Sequence, residues 1–329
     1  MGRPGTPTSN RADIMTLASI PARIAALGLI TFCAAACQSN IHPRSQSELA
    51  PAMAAAQSND WETVADSLES FKVESFDRNA RPIFLRLAGD SHWELGKIDP
   101  AINYYRAYIQ SPDSRTDAFR IGNRLLKVGT EYLQGTRKGF LGFFSAPARG
   151  ETILDDLATY HYQNDDLKAD ALIRLGHYHL EEGAFTEAKI DFDNLIERFT
   201  GTKYEDVGTF RAAQASYFRI ISPESGVTDM RTARNLLTSY LLHFSQTGAY
   251  VDEATQLLVQ VDSLIAQHYV VVGDFYAKIN NLRGARNAYL EAERYTGTEG
   301  AANALKNRQA LPHDTKPIVA EPAATEEGS

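Results

Sequence analysis

The chain has 329 residues but only two cysteines, Cys33 and Cys37, and none from 38 to 329. That absence excludes disulfides, thiolate metal sites and a cysteine nucleophile over nearly the whole chain. A basic excess is also missing, since 33 Lys and Arg stand against 41 Asp and Glu. Nucleic acid and anionic lipid therefore find no electrostatic footprint. There is no GxSxG, no phosphate loop and no dinucleotide glycine pattern before a strand. No stretch alternates apolar and polar residues for long, whereas a 3.6-residue apolar period recurs throughout, so the expectation is an all-α fold. Acid–base or metal chemistry has thin support. His177 and His179 stand at i,i+2 and do not share a helix face. The pairs Asp155-Asp156, Asp165-Asp166 and Glu181-Glu182 read as solvated hairpin edges. We expect no enzyme activity, cofactor or metal.

What is present is a pattern of small residues and aromatics. Gly89, Ala101 and Tyr105 form one set, Gly176, Ala188 and Phe192 a second, and Gly273, Ala285 and Tyr289 a third, each with the same offsets. Each set also carries a turn residue seven places after the glycine (Gly96, Gly183, Asn280) and an apolar residue nine places after it (Ile98, Phe185, Leu282). The pattern resembles the tetratricopeptide repeat, a helix–turn–helix hairpin of about 34 residues. The glycine and alanine are expected where the two helices cross, the aromatic beside the crossing, and the turn residue in a left-handed conformation. Weaker copies fill the gaps, which predicts a solenoid of five to six hairpins.

The N-terminus reads as an export signal. Arg3, Arg11 and Arg23 precede or border the apolar residues 24–36, interrupted only by Gly28 and Thr31. Those 13 residues fall short of the about 20 that span a bilayer. The segment ends Ala34-Ala35-Ala36-Cys37 and continues Gln38-Ser39-Asn40, which resembles a bacterial lipoprotein signal with Cys37 as the acylated residue. Ala34 stands where that pattern usually has Leu. A plain signal peptide cut after Ala36 fits the same residues, and Met15 is a second candidate start. Gln38 is not the Asp that holds enteric lipoproteins at the inner membrane, so the resemblance implies the periplasmic face of an outer membrane. Cleavage removes three basic residues and Asp13, leaving 30 basic and 40 acidic. The expected organisation is a signal at 1–36, a tether at 37–45, N-terminal repeats at 46–163, C-terminal repeats at 164–300 and a disordered acidic tail at 301–329.

The hairpin exits repeat as well. Residues 197–202 read Glu-Arg-Phe-Thr-Gly-Thr and residues 293–298 read Glu-Arg-Tyr-Thr-Gly-Thr, with His243-Phe244-Ser245-Gln246-Thr247 a looser relative. These exits, the acylated-cysteine pattern and the stretch from Leu264 to Tyr276 resemble the BamD family, lipoproteins of the outer-membrane assembly machinery. Here Tyr269 replaces a Glu of the family pattern, and the exits lack its proline. The resemblance implies a non-catalytic subunit that assists insertion of β-barrel proteins. Its implied partners are a β-barrel assembly protein, other lipoprotein subunits, unfolded outer-membrane protein segments and the membrane through the lipid anchor, with no nucleic acid. A cell-envelope scaffold, for instance for wall synthesis, would use the same repeats. Around Gly139 and Gly142, Phe140, Leu141, Phe143 and Phe144 form an irregular apolar cluster. It is read either as a partner-docking loop or as a cap over the groove between hairpins.

Overall fold

A computed structural model describes residues 43–113, 116–137, 146–160, 164–220 and 226–312. The export segment, Cys37, most of the tether, the cluster Phe140, Leu141, Phe143 and Phe144, and the chain beyond 312 lie outside these residues. Six helix pairs follow one another in the described chain. They are α1 (Ala50–Gln57) with α2 (Trp61–Glu69), α3 (Ala80–Glu94) with α4 (Ile98–Gln110), and α5 (Ala118–Leu133) with α6 (Ala146–Thr159). Then come α7 (Asp165–Glu181) with α8 (Phe185–Arg198), α9 (Tyr204–Phe218) with α10 (Val227–Phe244), and α11 (Val251–Lys278) with α12 (Leu282–Glu293). A last helix, α13 (Glu299–Ala310), follows.

Each helix packs on its successor, and the odd-numbered helices also touch one another: α1 with α3, α5 with α7, α7 with α9, α9 with α11 and α11 with α13. This is the neighbour-only packing of an all-α repeat array, in which each pair buries its apolar face on the next. The buried core runs from Leu49 through Ala215 as one cluster. It therefore continues through the 163/164 boundary expected between the two groups of repeats. A second cluster joins α9, α10 and the first half of α11, and a third lies where α12 and α13 meet the second half of α11.

The turns inside the three matched hairpins are alike bond for bond. Gly96, Gly183 and Asn280 have φ of 73°, 74° and 58°, the left-handed region that glycine and asparagine enter most cheaply. The following amides, of Lys97, Ala184 and Asn281, each donate to the carbonyl five residues back (His92, His179 and Tyr276) at 2.8 Å. That bond satisfies a carbonyl otherwise left open at the helix end. Ile98, Phe185 and Leu282 are each the first residue of the second helix.

One expectation needs correction. The tail was expected to be disordered from 301, but residues 301–310 belong to α13, which packs on α11 and α12. Thr298 caps it by accepting the Ala301 amide at 3.2 Å. Arg308 forks onto Glu293 at 2.5 and 3.0 Å, and Asn307 donates to Asp274 at 3.1 Å. Gly300 lets it come close, because a Cβ there would sit 2.7 Å from that of Ala266. Alanines and a glycine supply the buried face of α13, a pattern that composition alone mistakes for a solvated tail. The end of the tether is held to the first hairpins. The Arg44 amide donates to the Ser75 carbonyl at 2.7 Å, and the Asp77 amide donates to the Arg44 carbonyl at 2.8 Å. The Arg44 guanidinium also lies 4.7 Å over the Phe71 ring.

Candidate functional site

The repeat-packing residues come together pairwise, one crossing per matched hairpin. A Cβ added at Gly89 would lie 2.6 Å from the Tyr105 ring, at Gly176 2.6 Å from the Phe192 ring, and at Gly273 2.4 Å from the Tyr289 ring. The aromatic therefore lies flat against the glycine itself and not merely beside the crossing. Ala101, Ala188 and Ala285 are fully buried.

Two of the three crossings carry a polar lock that the small-residue pattern does not reveal. Asp90 follows Gly89 and accepts the Tyr105 hydroxyl at 2.7 Å; Asp274 follows Gly273 and accepts the Tyr289 hydroxyl at 2.6 Å. In the middle set the aromatic is Phe192, without a hydroxyl, and the residue after the glycine is His177, edge-on to the ring at 5.7 Å. The signal was in the sequence as Gly-Asp paired with Tyr, against Gly-His paired with Phe. Burial and the neighbouring carboxylate push the hydroxyls of Tyr105 and Tyr289 well above the usual phenol range, so both stay donors.

Asp90 is also the centre of a larger network. It is 5% exposed and holds Arg120 in a fork at 2.7 and 2.8 Å, with Arg124 at 3.2 Å and Arg86 at 3.9 Å. Arg124 continues to Glu94 at 2.6 Å and lies 4.8 Å over the Trp93 ring. Asp117 forms an ion pair with Arg86 at 3.3 Å. Three guanidinium groups thus meet three carboxylates, and the cluster is electrically balanced. Its place explains it. The backbones of α3 and α5 approach less than those of the other odd-numbered neighbours, and long side chains join them.

The acidic pairs are not uniformly solvated edges. Asp156 is 7% exposed and bonded to Arg106, tying α6 to α4. Asp166 accepts from Tyr204 at 2.5 Å and Lys203 at 3.1 Å, tying α7 to the start of α9. Among the described residues no three His, Cys, Asp or Glu are grouped to hold a metal ion.

His177 and His179 face different surroundings, and burial and charge move them in opposite directions. Burial, then the Arg211 charge, hold His177 below the ordinary imidazole value. A hydrogen bond to Asp191 at 2.6 Å raises His179 above it. Stability from His179 is complete below pH about 6.5 and is lost as pH rises through its raised value. His177 contributes above pH about 6.5 and loses that contribution as pH falls through its lowered value. Imidazole NMR titration should place the two midpoints on opposite sides of the ordinary value, and a shared midpoint would contradict these environments.

An exposed apolar stripe lies on the C-terminal half of α11. Val271, Phe275 and Ile279, one helical turn apart, are 47%, 57% and 56% exposed, while Gly273 and Val270 on the other side pack toward α12 and α13. Between Leu264 and Ile279 only Gln267, His268, Asp274 and Lys278 interrupt the apolar and aromatic residues and Gly273. A helix apolar on nearly all sides is normally enclosed. None of the described helices is long and apolar enough to cross a membrane. No family model matches the chain, and no curated protein matches it significantly.

Proposed function

We propose that this chain is a lipid-anchored subunit of tetratricopeptide type on the periplasmic face of an outer membrane. In this reading it assists assembly and insertion of β-barrel proteins by binding, not by catalysis. The observation that carries the reading is the exposed stripe Val271, Phe275 and Ile279, which begins in the segment that resembles the BamD family and runs one turn past its end. Exposed apolar area of this kind is the usual core of a docking surface. The three matched crossings, with their left-handed turn residues and glycine–aromatic contacts, support the tetratricopeptide type. The N-terminal pairs would meet unfolded outer-membrane protein segments, and α11 with α12 and α13 would dock the β-barrel assembly protein and other lipoprotein subunits.

The anchor adds a distance constraint. Six residues separate Cys37 from Arg44, where the chain is pinned to the first hairpins, and the span reaches at most about 25 Å when extended. Acylation at Cys37 would hold α1 and α2 close to the membrane surface and raise the local concentration of the whole array there. Affinity capture of the intact protein from detergent-solubilised envelopes tests the reading, with Cys37→Ser as the control. Co-purification of a large β-barrel assembly protein, lowered by the control, is the expected result. Recovery of wall-synthesis enzymes instead would favour the envelope scaffold.

A further inference from the structure

The matched hairpins differ in what covers them. The positions one before the glycine and three, eight and fifteen after it are Ala88, His92, Lys97 and Tyr104 in the first hairpin and Val272, Tyr276, Asn281 and Ala288 in the third. In the first they form one wall of a cleft whose other wall is α2, through Ala65 and Leu68. In the third they line an open groove of about 570 Å³, whose walls come from α11, α12 and the turn between them. The residue two places after the glycine agrees. Ser91 is 1% exposed beside α2, Tyr178 is set against Glu151 of α6, and Phe275 is 57% exposed.

The cause is the length of α11, which has 28 residues. Its first half takes the buried face of α10, where Met230, Ala233 and Leu237 meet Ala254, Val261 and Ile265. At the margin of the second half Arg231 of α10 donates to Tyr269 at 2.6 Å. The preceding even-numbered helix covers the first and second matched hairpins, as α2 and α6. On the third, the corresponding seat faces solvent. Val272, Tyr276, Ala288 and the 44%-exposed Leu290 give it an apolar centre. On its rim Glu291 and Arg294 pair with each other at 3.2 Å. Lys278 and Arg283, where α11 turns into α12, are exposed and have no ion pair among the described residues.

We propose that this groove receives an α-helix of a partner protein, antiparallel to α11, with an apolar stripe over Val272, Tyr276 and Leu290 and acidic residues in its first turn facing Lys278 and Arg283. Successive helices joined by short connections run antiparallel, so a helix in this seat brings its N-terminus to the basic end. Carboxylates in a first turn are favoured there by the helix dipole as well. Docking of a helix in a groove uses anchors three and four residues apart. The described helices of a second copy are each packed in their own array and leave none to donate. The groove adjoins the Val271, Phe275 and Ile279 stripe, so a helix there rests on the docking reading of α11 given above.

The test places the photo-crosslinker p-benzoylphenylalanine at position 287, 290 or 294 of the intact chain in envelopes, with position 306 on α13 as the control; all four are exposed. Partner residues crosslinked from the groove are expected three or four apart along one face, with a yield about fivefold or more above the control. Leu290→Ser should lower the yield from position 287 about fivefold, with helix content unchanged. Crosslinks at every second partner residue, crosslinks to this chain in the same or a second copy, or a groove yield no higher than the control would each overturn the helix. Two outcomes separate it from the assembly reading. Helical spacing on a protein other than a β-barrel assembly protein keeps the helix and removes that reading. Capture of the assembly protein that depends on Val271, Phe275 and Ile279, without groove crosslinks, keeps the reading and removes the helix.

Discussion

Asp90→Ala is expected to lower unfolding stability by about 3 kcal/mol, because it leaves three half-buried guanidinium groups facing only two carboxylates. Asp90 is the only carboxylate among the described residues that Arg86, Arg120 and Arg124 all approach within 4 Å, and it also accepts the Tyr105 hydroxyl. Its removal would strand charge between α3 and α5, which pack on each other less than the other odd-numbered neighbours do. The figure is set at the low end for a broken buried pair because Arg120 is 38% exposed and water relieves part of its charge. Asp274→Ala is the matched control. Asp274 accepts from Tyr289 and Asn307 but from no arginine, so its loss should cost only about 1–2 kcal/mol. Urea unfolding followed by circular dichroism measures both, and equal losses would contradict the bridging role.

Gly176→Leu should be at least as damaging, by about 3 kcal/mol. The substitution gains helix propensity worth about 0.8 kcal/mol, but the first added carbon already lies 2.6, 2.7 and 2.9 Å from three atoms of the Phe192 ring. Phe192 is fully buried and cannot swing away, so overpacking decides the sign. A smaller partner should give relief. Gly176→Ala combined with Phe192→Leu is expected to be more stable than the sum of its single losses by about 1 kcal/mol or more. Additive losses would mean that the glycine–aromatic contact is not the constraint at the crossing.

The crossings were legible because three copies shared offsets, and their physical causes are local: a left-handed residue ends one helix and a missing side chain admits a ring. The Asp90 network was not legible, since Arg120 and Arg124 lie 30 and 34 residues away from Asp90 and only packing of successive hairpins brings them together. The helix α13 was legible in principle. The Glu-Arg-aromatic-Thr-Gly-Thr exit before it recurs from residue 197, where α9 follows. In both copies the second threonine hydroxyl donates to the aromatic carbonyl, at 2.6 Å for Thr202 and 2.8 Å for Thr298. The same exit therefore announced another helix, but the Ala-rich composition after it pointed to a tail. The hairpin register needed no long-range information, whereas the inter-hairpin polar contacts and the exposed α11 stripe did.

The central claim is that the outer face of α11 docks a β-barrel assembly protein. Its most direct test is quantitative capture from solubilised envelopes by the wild type and by a Val271→Ser, Phe275→Ser, Ile279→Ser variant. The three side chains are exposed, so helix content and unfolding midpoint should be preserved. The account predicts that capture of the assembly protein falls about tenfold or more. Undiminished capture by a folded variant would contradict it.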